Sequence, residues 1–409
     1  MIIELKYNVS DAQIAEVVEI IRQRGRIPKL INGLKQTVFH IQAATAAMAE
    51  QLQTFKELPF VDDMIETATA DGKHEVRIFF KLNAIEENVW TTMQMLSAMH
   101  CQYVRGEGER QIVIDPADDN LSETIKLLPY VDSVFPSSRR YKLVSREYCR
   151  TDSAVSVGGA IIGRGNFQFI AGPCAVESLE QMRKTAAELS RQGVRIIRGG
   201  AFKPRTSPYD FQGLGLEGLE ILRQIKEEFG VAVTTEAVST ENLKEVAAVA
   251  DCIQIGARNA QNYNLLERVA DMGRPVLLKR GMASTVEEWF SAAEYLMARG
   301  CFEIILCERG IKTFESSTRN TLDLSAVVIA KRETHLPVVV DPCHAAGKLA
   351  LIPGLSRAAI AAGADGLIVE SHPNPKEALS DAGQQIPVAD FAHYRNDLLP
   401  FIELMKKYQ

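Results

Sequence analysis

The chain has 409 residues, 46% hydrophobic and 24% charged, a composition that excludes a disordered or fibrous protein and leaves room for two or three domains. Its net charge of −6 excludes a general attraction to nucleic acid, so a local basic cluster is better matched to a small anionic ligand. No apolar run is long enough to cross a bilayer, and the start MIIELKYNVSD lacks the basic, apolar, small-residue order of a secretion signal, so a cytoplasmic protein is expected.

Residues 1 to 68 read strand, helix, strand, strand, helix, strand: MIIELKY, a helix from Asp11 to Arg24, RIPKLIN, QTVFHIQ, a further helix and FVDDMIE. Residues 74 to 136 repeat the order, with EVRIFFKL, a helix around Glu87 to Met99, QYVRG, RQIVIDP, a helix near Leu121 to Leu127 and VDSVF. Lys6, Asn8, Gly33, Gln36 and Val38 fall opposite Lys81, Asn83, Gly108, Gln111 and Val113 at a constant offset, and LPFVDD at Leu58 matches LPYVDS at Leu128. Such self-similarity is what a duplication leaves, and it predicts two tandem ferredoxin-like modules, 1–70 and 71–140. Neither half carries a catalytic constellation; sensing or assembly is the expectation by analogy of fold.

Residues 136–152, PSSRRYKLVSREYCRTD, read as a polar, basic linker, and VSVGGAIIGRGNFQF as a hairpin. Eight apolar runs then alternate with amphipathic helical stretches: FIAGPC, VRIIRGG, VAVTTEA, CIQIGAR, PVLLKRG, EIILCERG, PVVVDPCH and GLIVESH. Buried parallel strands read as continuous apolar segments, and eight βα units predict a (β/α)8 TIM barrel over 141–409.

A barrel of this kind places functional residues at the C-terminal ends of its strands. There the runs carry, in order, Cys174, Arg198, Glu236, Arg258, Lys279 with Arg280, Arg309, His344 and Glu370. Arg198 also opens RGGAFKPRTSP, where two glycines and two prolines shape a loop rich in cations, a pattern suited to anions. Arg198, Lys203, Arg205, Arg258, Lys279 and Arg309 form a cationic set sufficient for two phosphates and a carboxylate. Cys174, His344, Glu370 and Asp381 combine a soft thiolate, an imidazole and two carboxylates, which suits one divalent transition metal (Mn, Fe, Co or Zn) better than magnesium or calcium. The other cysteines, Cys101, Cys149, Cys252, Cys301, Cys307 and Cys343, form no CxxC pair and read mostly as reduced thiols.

The segments GPC at Gly172, RGGAFKPRTSP at Arg198, QIGARN at Gln254, LLKRG at Leu277, CERG at Cys307, DPCH at Asp341, VESHP at Val369 and LSD at Leu379 resemble the 3-deoxy-D-arabino-heptulosonate 7-phosphate (DAHP) synthases of type I beta. The resemblance spans residues 141 to 390 and implies condensation of phosphoenolpyruvate with erythrose 4-phosphate, the first step of the shikimate pathway to aromatic amino acids. By this resemblance Cys174, His344, Glu370 and Asp381 are metal ligands. Arg258, Lys279 and Arg309 hold the phosphoenolpyruvate phosphate, while Arg198, Lys203 and Lys279 hold its carboxylate. Arg205 and Thr206 hold the aldose phosphate, and Pro204, Glu236 and Ala257 complete the substrate-binding set. Lys203 is the expected general acid, acting beside Cys174 and His344. This chain departs from the family in reading HAAGKL from His344 onward and in carrying Cys343.

The resemblance further implies feedback by an aromatic amino acid, tyrosine or phenylalanine, through the N-terminal modules, and a homotetramer, with no nucleic-acid or membrane partner. Two other readings stand beside it: a 3-deoxy-D-manno-octulosonate 8-phosphate synthase using arabinose 5-phosphate, and a catalytically silent sensor. The sequence PRTSP after Lys203, where the octulosonate enzymes tend to carry an asparagine-serine motif, favours the four-carbon aldose.

Overall fold

The computed structural model describes residues 140–146, 148–149, 151–204 and 207–408; before residue 140 it describes the strands and helix named below, with Ser10 and Thr92. Two units are distinct, Met1–Ser138 and Arg139–Gln409.

Among the described residues of the first unit, eight strands form two four-stranded sheets. The strands are β1 (Ile2–Leu5), β2 (Lys29–Asn32), β3 (Thr37–Ala43), β4 (Val61–Ala68), β5 (His74–Phe80), β6 (Gln102–Glu107), β7 (Arg110–Val113) and β8 (Val131–Phe135). A helix, Asp11–Gln23, follows β1 and buries Ile14, Val17 and Ile21, which repeat at the spacing of one helical face. The further helix expected before FVDDMIE and the one near 121–127 lie outside the described residues, as does the one around 87–99 except for the buried Thr92.

The sheets do not divide the chain at residue 70. One has the order β2-β7-β1-β8 and the other β4-β5-β3-β6. Strand β3 pairs antiparallel with β5 and β6, and β1 with β7 and β8, so each sheet takes two strands from each half of the duplication. The strands of one sheet, Thr37–Ala43, Val61–Ala68, His74–Phe80 and Gln102–Glu107, thus fall in sequence between those of the other. The expected pair of modules, each closed within its own half, is corrected on this point. Its physical reason is the duplication: each strand has a twin of like pattern in the other half, so local sequence leaves the choice of partner open.

The second unit begins with residues expected to be a linker. They are packed instead: Leu143 and Val144 are buried, and both donate backbone N–H groups to Glu294 at 3.0 Å. Next comes the expected hairpin, β9 (Val155–Val157) and β10 (Ala160–Ile162). The barrel strands are β11 (Gln168–Gly172), β12 (Ile196–Arg198), β13 (Ala232–Ala237), β14 (Cys252–Ile255), β15 (Val276–Lys279), β16 (Ile304–Glu308), β17 (Val338–Val340) and β18 (Gly366–His372). All eight apolar runs become parallel strands, and β11 pairs with β18 to close the barrel. A short β19 (Ile386–Pro387) pairs in parallel with the end of β18.

The hairpin plugs the N-terminal end of this barrel. Val155, Val157, Ala160 and Ile162 share a buried cluster with Ile170, Ile196, Ala232, Cys252, Leu277, Ile305, Val339 and Ile368. Each fully buried aliphatic side chain contributes about 1.5–3 kcal/mol. With the lower end filled by apolar side chains, polar chemistry is confined to the opposite mouth.

Local signals set the helices that flank the strands. Thr285 and Glu288 form a reciprocal capping box at the start of helix Val286–Met297. Ser178 caps helix Leu179–Arg191 by accepting from the Gln181 N–H. The final helix, Phe391–Met405, returns to β11, where Phe391 meets Phe169 edge-on with ring centroids 6.0 Å apart.

Candidate metal centre and active site

Four donor atoms, one each from Cys174, His344, Glu370 and Asp381, lie within 4.8 Å of one another. Cys174 follows β11, Glu370 lies within β18 and Asp381 in the loop beyond it. His344 sits in the short helix Pro342–Ala346, whose N-cap Asp341 accepts the His344 N–H at 2.9 Å. A second oxygen of Asp341 lies 2.7 Å from His344 Nδ1 and turns Nε2 towards Glu370 Oε1, 3.5 Å away. A carboxylate behind an imidazole in this way fixes the ring and its tautomer, as second partners of metal-bound histidines do.

The donor set fits a divalent ion. Metal bonds to such atoms are about 2.0–2.3 Å, so ligands on opposite sides of one ion stand about 4–4.6 Å apart. Among the described residues Glu370 Oε1 is buried without a hydrogen-bond partner, though Arg198 Nη1 lies 3.2 Å from it, off hydrogen-bond geometry. An acceptor left bare in the interior is costly unless a further charge completes it.

The electrostatics point the same way. Burial and the Glu370 carboxylate push the Cys174 thiol up to about 12, against the pull of Lys203. The thiol donates to Asp381 Oδ2 at 3.2 Å and lies 3.0 Å from the Ser380 hydroxyl. Burial would raise the Asp381 carboxyl, but Arg319 and His344 hold it down at about 2. Glu370 is likewise lowered: burial opposes, and His344 with Arg198 outweighs it. Burial lowers His344 and leaves the neutral imidazole that a metal requires.

Cations ring this cluster. Arg198 Nη2 donates to the Cys174 carbonyl at 3.3 Å, and Lys203 Nζ donates to that carbonyl at 3.1 Å and to Cys174 Sγ at 3.2 Å. Lys279 is buried and pairs with Asp341 at 2.5 Å, so one carboxylate joins the metal histidine to the cationic wall. Arg309 is buried with its guanidinium lowered by desolvation, against the attraction of Asp341. Arg258 is exposed and donates to the Pro204 carbonyl at 3.3 Å, bringing its loop to the loop after β12. Glu236 accepts from Gln254 Nε2 at 3.1 Å. It also presses on Gly256, where a Cβ would stand 2.0 Å from Glu236 Oε1, so a larger residue before Ala257 would displace the carboxylate. Arg205 and Thr206 lie outside the described residues.

One strand-end cation does not join the ring. Arg280 turns to Glu308 at 3.1 Å and Asp323 at 2.8 Å in a buried network. Consecutive residues of an extended segment face opposite sides, so Lys279 and Arg280 cannot both line the mouth.

Asp341 stands in the sequence only as part of DPCH, where a carboxylate three residues before a metal histidine is the signal for its role. Sequence reasoning missed Arg319 and Gln384. Arg319 Nη1 donates to Asp381 at 3.0 Å and to Gln384 Oε1 at 3.1 Å, while Gln384 Nε2 donates to Glu370 at 2.6 Å. No local pattern marks those two.

Fold and site together define a (β/α)8 barrel enzyme with a candidate centre for a divalent metal and a cation-lined mouth. The DAHP synthetase I family matches residues 146–401, and the chain belongs to it. It is 46% identical over 334 residues to the phospho-2-dehydro-3-deoxyheptonate aldolase of Thermotoga maritima, covering 81% of this chain and 96% of that protein. The crystal structure of a Thermotoga maritima DAHP synthase superposes with a TM-score of 0.64 at 39% identity, covering 91% of this chain and 98% of that one. A 2-dehydro-3-deoxyphosphooctonate aldolase of Thioalkalivibrio sulfidiphilus is 36% identical over 239 residues, 54% of this chain and 84% of its own length.

Proposed function

We propose that this chain is a DAHP synthase of type I beta that condenses phosphoenolpyruvate with erythrose 4-phosphate and water, releasing phosphate. The observation that carries the reading is the meeting of the Cys174, His344, Glu370 and Asp381 donors with a wall of buried cations. Membership of the DAHP synthetase I family and the likeness to the Thermotoga relative, covered over 96% of its length, support the reading.

Held by those four residues, a divalent metal would supply Lewis acidity towards the aldehyde oxygen of the aldose. The protein's own groups do the rest. Arg258, Lys279 and Arg309 grip the phosphate of phosphoenolpyruvate, and Arg198, Lys203 and Lys279 its carboxylate, which screens repulsion between two anionic substrates and fixes their approach. Pro204, Glu236 and Ala257 shape that pocket, and Arg205 with Thr206 holds the aldose phosphate. As C3 of phosphoenolpyruvate bonds to the aldehyde carbon, positive charge develops at C2. Water adds there, and phosphate leaves with cleavage of its C2–O bond. Lys203 donates the proton to the aldehyde oxygen; burial lowers its ammonium, but the attractions of Cys174, Glu236 and Glu370 together outweigh burial and raise it.

Residues 1–140 belong to this reading as a regulatory region that binds tyrosine or phenylalanine, and the assembly as a homotetramer. Deleting residues 1–136 is expected to abolish feedback while sparing turnover; retained inhibition would remove the regulatory role.

Metal-loaded protein offered erythrose 4-phosphate or arabinose 5-phosphate, with phosphoenolpyruvate loss followed, tests the substrate. Consumption only with the four-carbon sugar is expected. Consumption with the five-carbon sugar would move the chain to the octulosonate enzymes, and silence with both would revive a sensor role.

A further inference from the structure

Asp381 stands in the left-handed region at φ 52°, which non-glycine residues enter only when their surroundings hold them. Two side chains do that holding without offering a donor atom to the cluster. Glu177 Oε1 accepts the Leu379 N–H at 2.9 Å, and Glu177 Oε2 lies 3.3 Å from His372 Nε2. His372 Nδ1 accepts the Asn374 N–H at 3.0 Å, so the ring proton is on Nε2 and is donated to Glu177. Gln385 completes a second bracket: its Oε1 accepts the Cys174 N–H at 3.2 Å, and its Nε2 donates to the Ser380 carbonyl at 2.7 Å. Gln385 and His372 are buried, and the Glu177 side chain is 9% exposed.

The brackets join the three segments that carry three of the four ligands. Glu177 and Cys174 belong to the loop after β11, His372 and Glu370 to β18, and Leu379 to Asp381 to the loop beyond. The four ligand atoms lie within 4.8 Å of one another, and these hydrogen bonds fix the loops that carry three of them. We infer that Glu177 and Gln385 are positioning residues for the metal centre, holding the Asp381 loop against the Cys174 loop so that affinity is not spent on gathering ligands. The inference rests on reading the quartet as a metal centre.

The test is Mn(II) binding to full-length, chelator-treated protein, measured by calorimetry beside the thermal midpoint of the metal-free form. Glu177→Gln keeps shape but offers a single acceptor oxygen to two converging N–H donors. Gln385→Met removes both of its bonds. Each is expected to raise the Kd for Mn(II) about 10- to 100-fold, the range for lost outer partners of metal ligands, and Gln385→Met also lowers the metal-free midpoint because it leaves the buried Cys174 N–H and Ser380 carbonyl unpaired. Unchanged Kd in both variants, with or without a lower midpoint, would overturn the inference and make the brackets purely structural. If Gln385→Met does not fold, Glu177→Gln decides alone. Wild-type protein that binds no Mn(II) would instead overturn the metal-centre reading itself.

Discussion

Asp341 is the residue whose replacement should disturb both halves of the site. It is buried, accepts from Lys279 at 2.5 Å and faces His344 Nδ1 at 2.7 Å. Burial would raise its carboxyl, but His344 and Lys279 hold it well below the usual range, so it is ionised at neutral pH. Asp341→Asn keeps the shape and removes the charge. A buried ammonium stripped of its partner costs about 3–5 kcal/mol, so urea unfolding of metal-free protein should show a loss of that order. The freed imidazole should weaken Mn(II) binding about 10- to 100-fold, or about 1.4–2.7 kcal/mol. Adding Lys279→Met should return part of the stability, because no ammonium is then stranded, but none of the metal affinity. The two losses have different causes and separate in that cycle. Stability within about 0.5 kcal/mol of wild type, together with unchanged metal affinity, would refute the reasoning.

Metal binding should also release the Cys174 proton. With the thiol held at about 12, the Kd for Mn(II) should tighten by about tenfold per pH unit between roughly pH 7 and 9, read as proton release in two calorimetry buffers. A flat profile would remove the thiol from the ligand set. The same raised value makes this thiol's contribution to metal-free stability complete below its ordinary value of 9.0 and lost as pH rises towards 12, which urea titrations across that window would follow. Ile162→Ala, in the hairpin that plugs the barrel, should cost about 2–5 kcal/mol in urea unfolding and leave metal affinity unchanged; a loss under about 1 kcal/mol would mean the plug is loosely packed.

The barrel was legible because buried parallel strands write themselves as unbroken apolar runs, from FIAGPC to GLIVESH, and each became a strand. Cys174, His344, Glu370 and Asp381 were legible because a barrel sends its strand ends to one mouth, and they do meet there. Arg280 shows the limit of that argument. Its position matched the pattern, but its side chain faces Glu308 and Asp323, and position alone does not give a side chain's direction. Arg319, Gln384, Gln385 and Glu177 act through contacts between distant segments, such as Glu177 with Leu379, and nothing local announces such pairs. The sharing of strands between the two halves of residues 1–138 was hidden for the opposite reason, since duplicated strands offer two partners of nearly equal pattern.

The account's central claim is that turnover depends on a metal held by the four convergent residues. Chelator-treated protein, given phosphoenolpyruvate and erythrose 4-phosphate, should be inactive and should regain phosphoenolpyruvate consumption in proportion to added Mn(II), reaching a plateau at about one ion per chain. Glu370→Gln should show no such recovery at that stoichiometry. Full turnover by the chelated protein, or a wild-type titration curve reproduced by Glu370→Gln, would contradict the account.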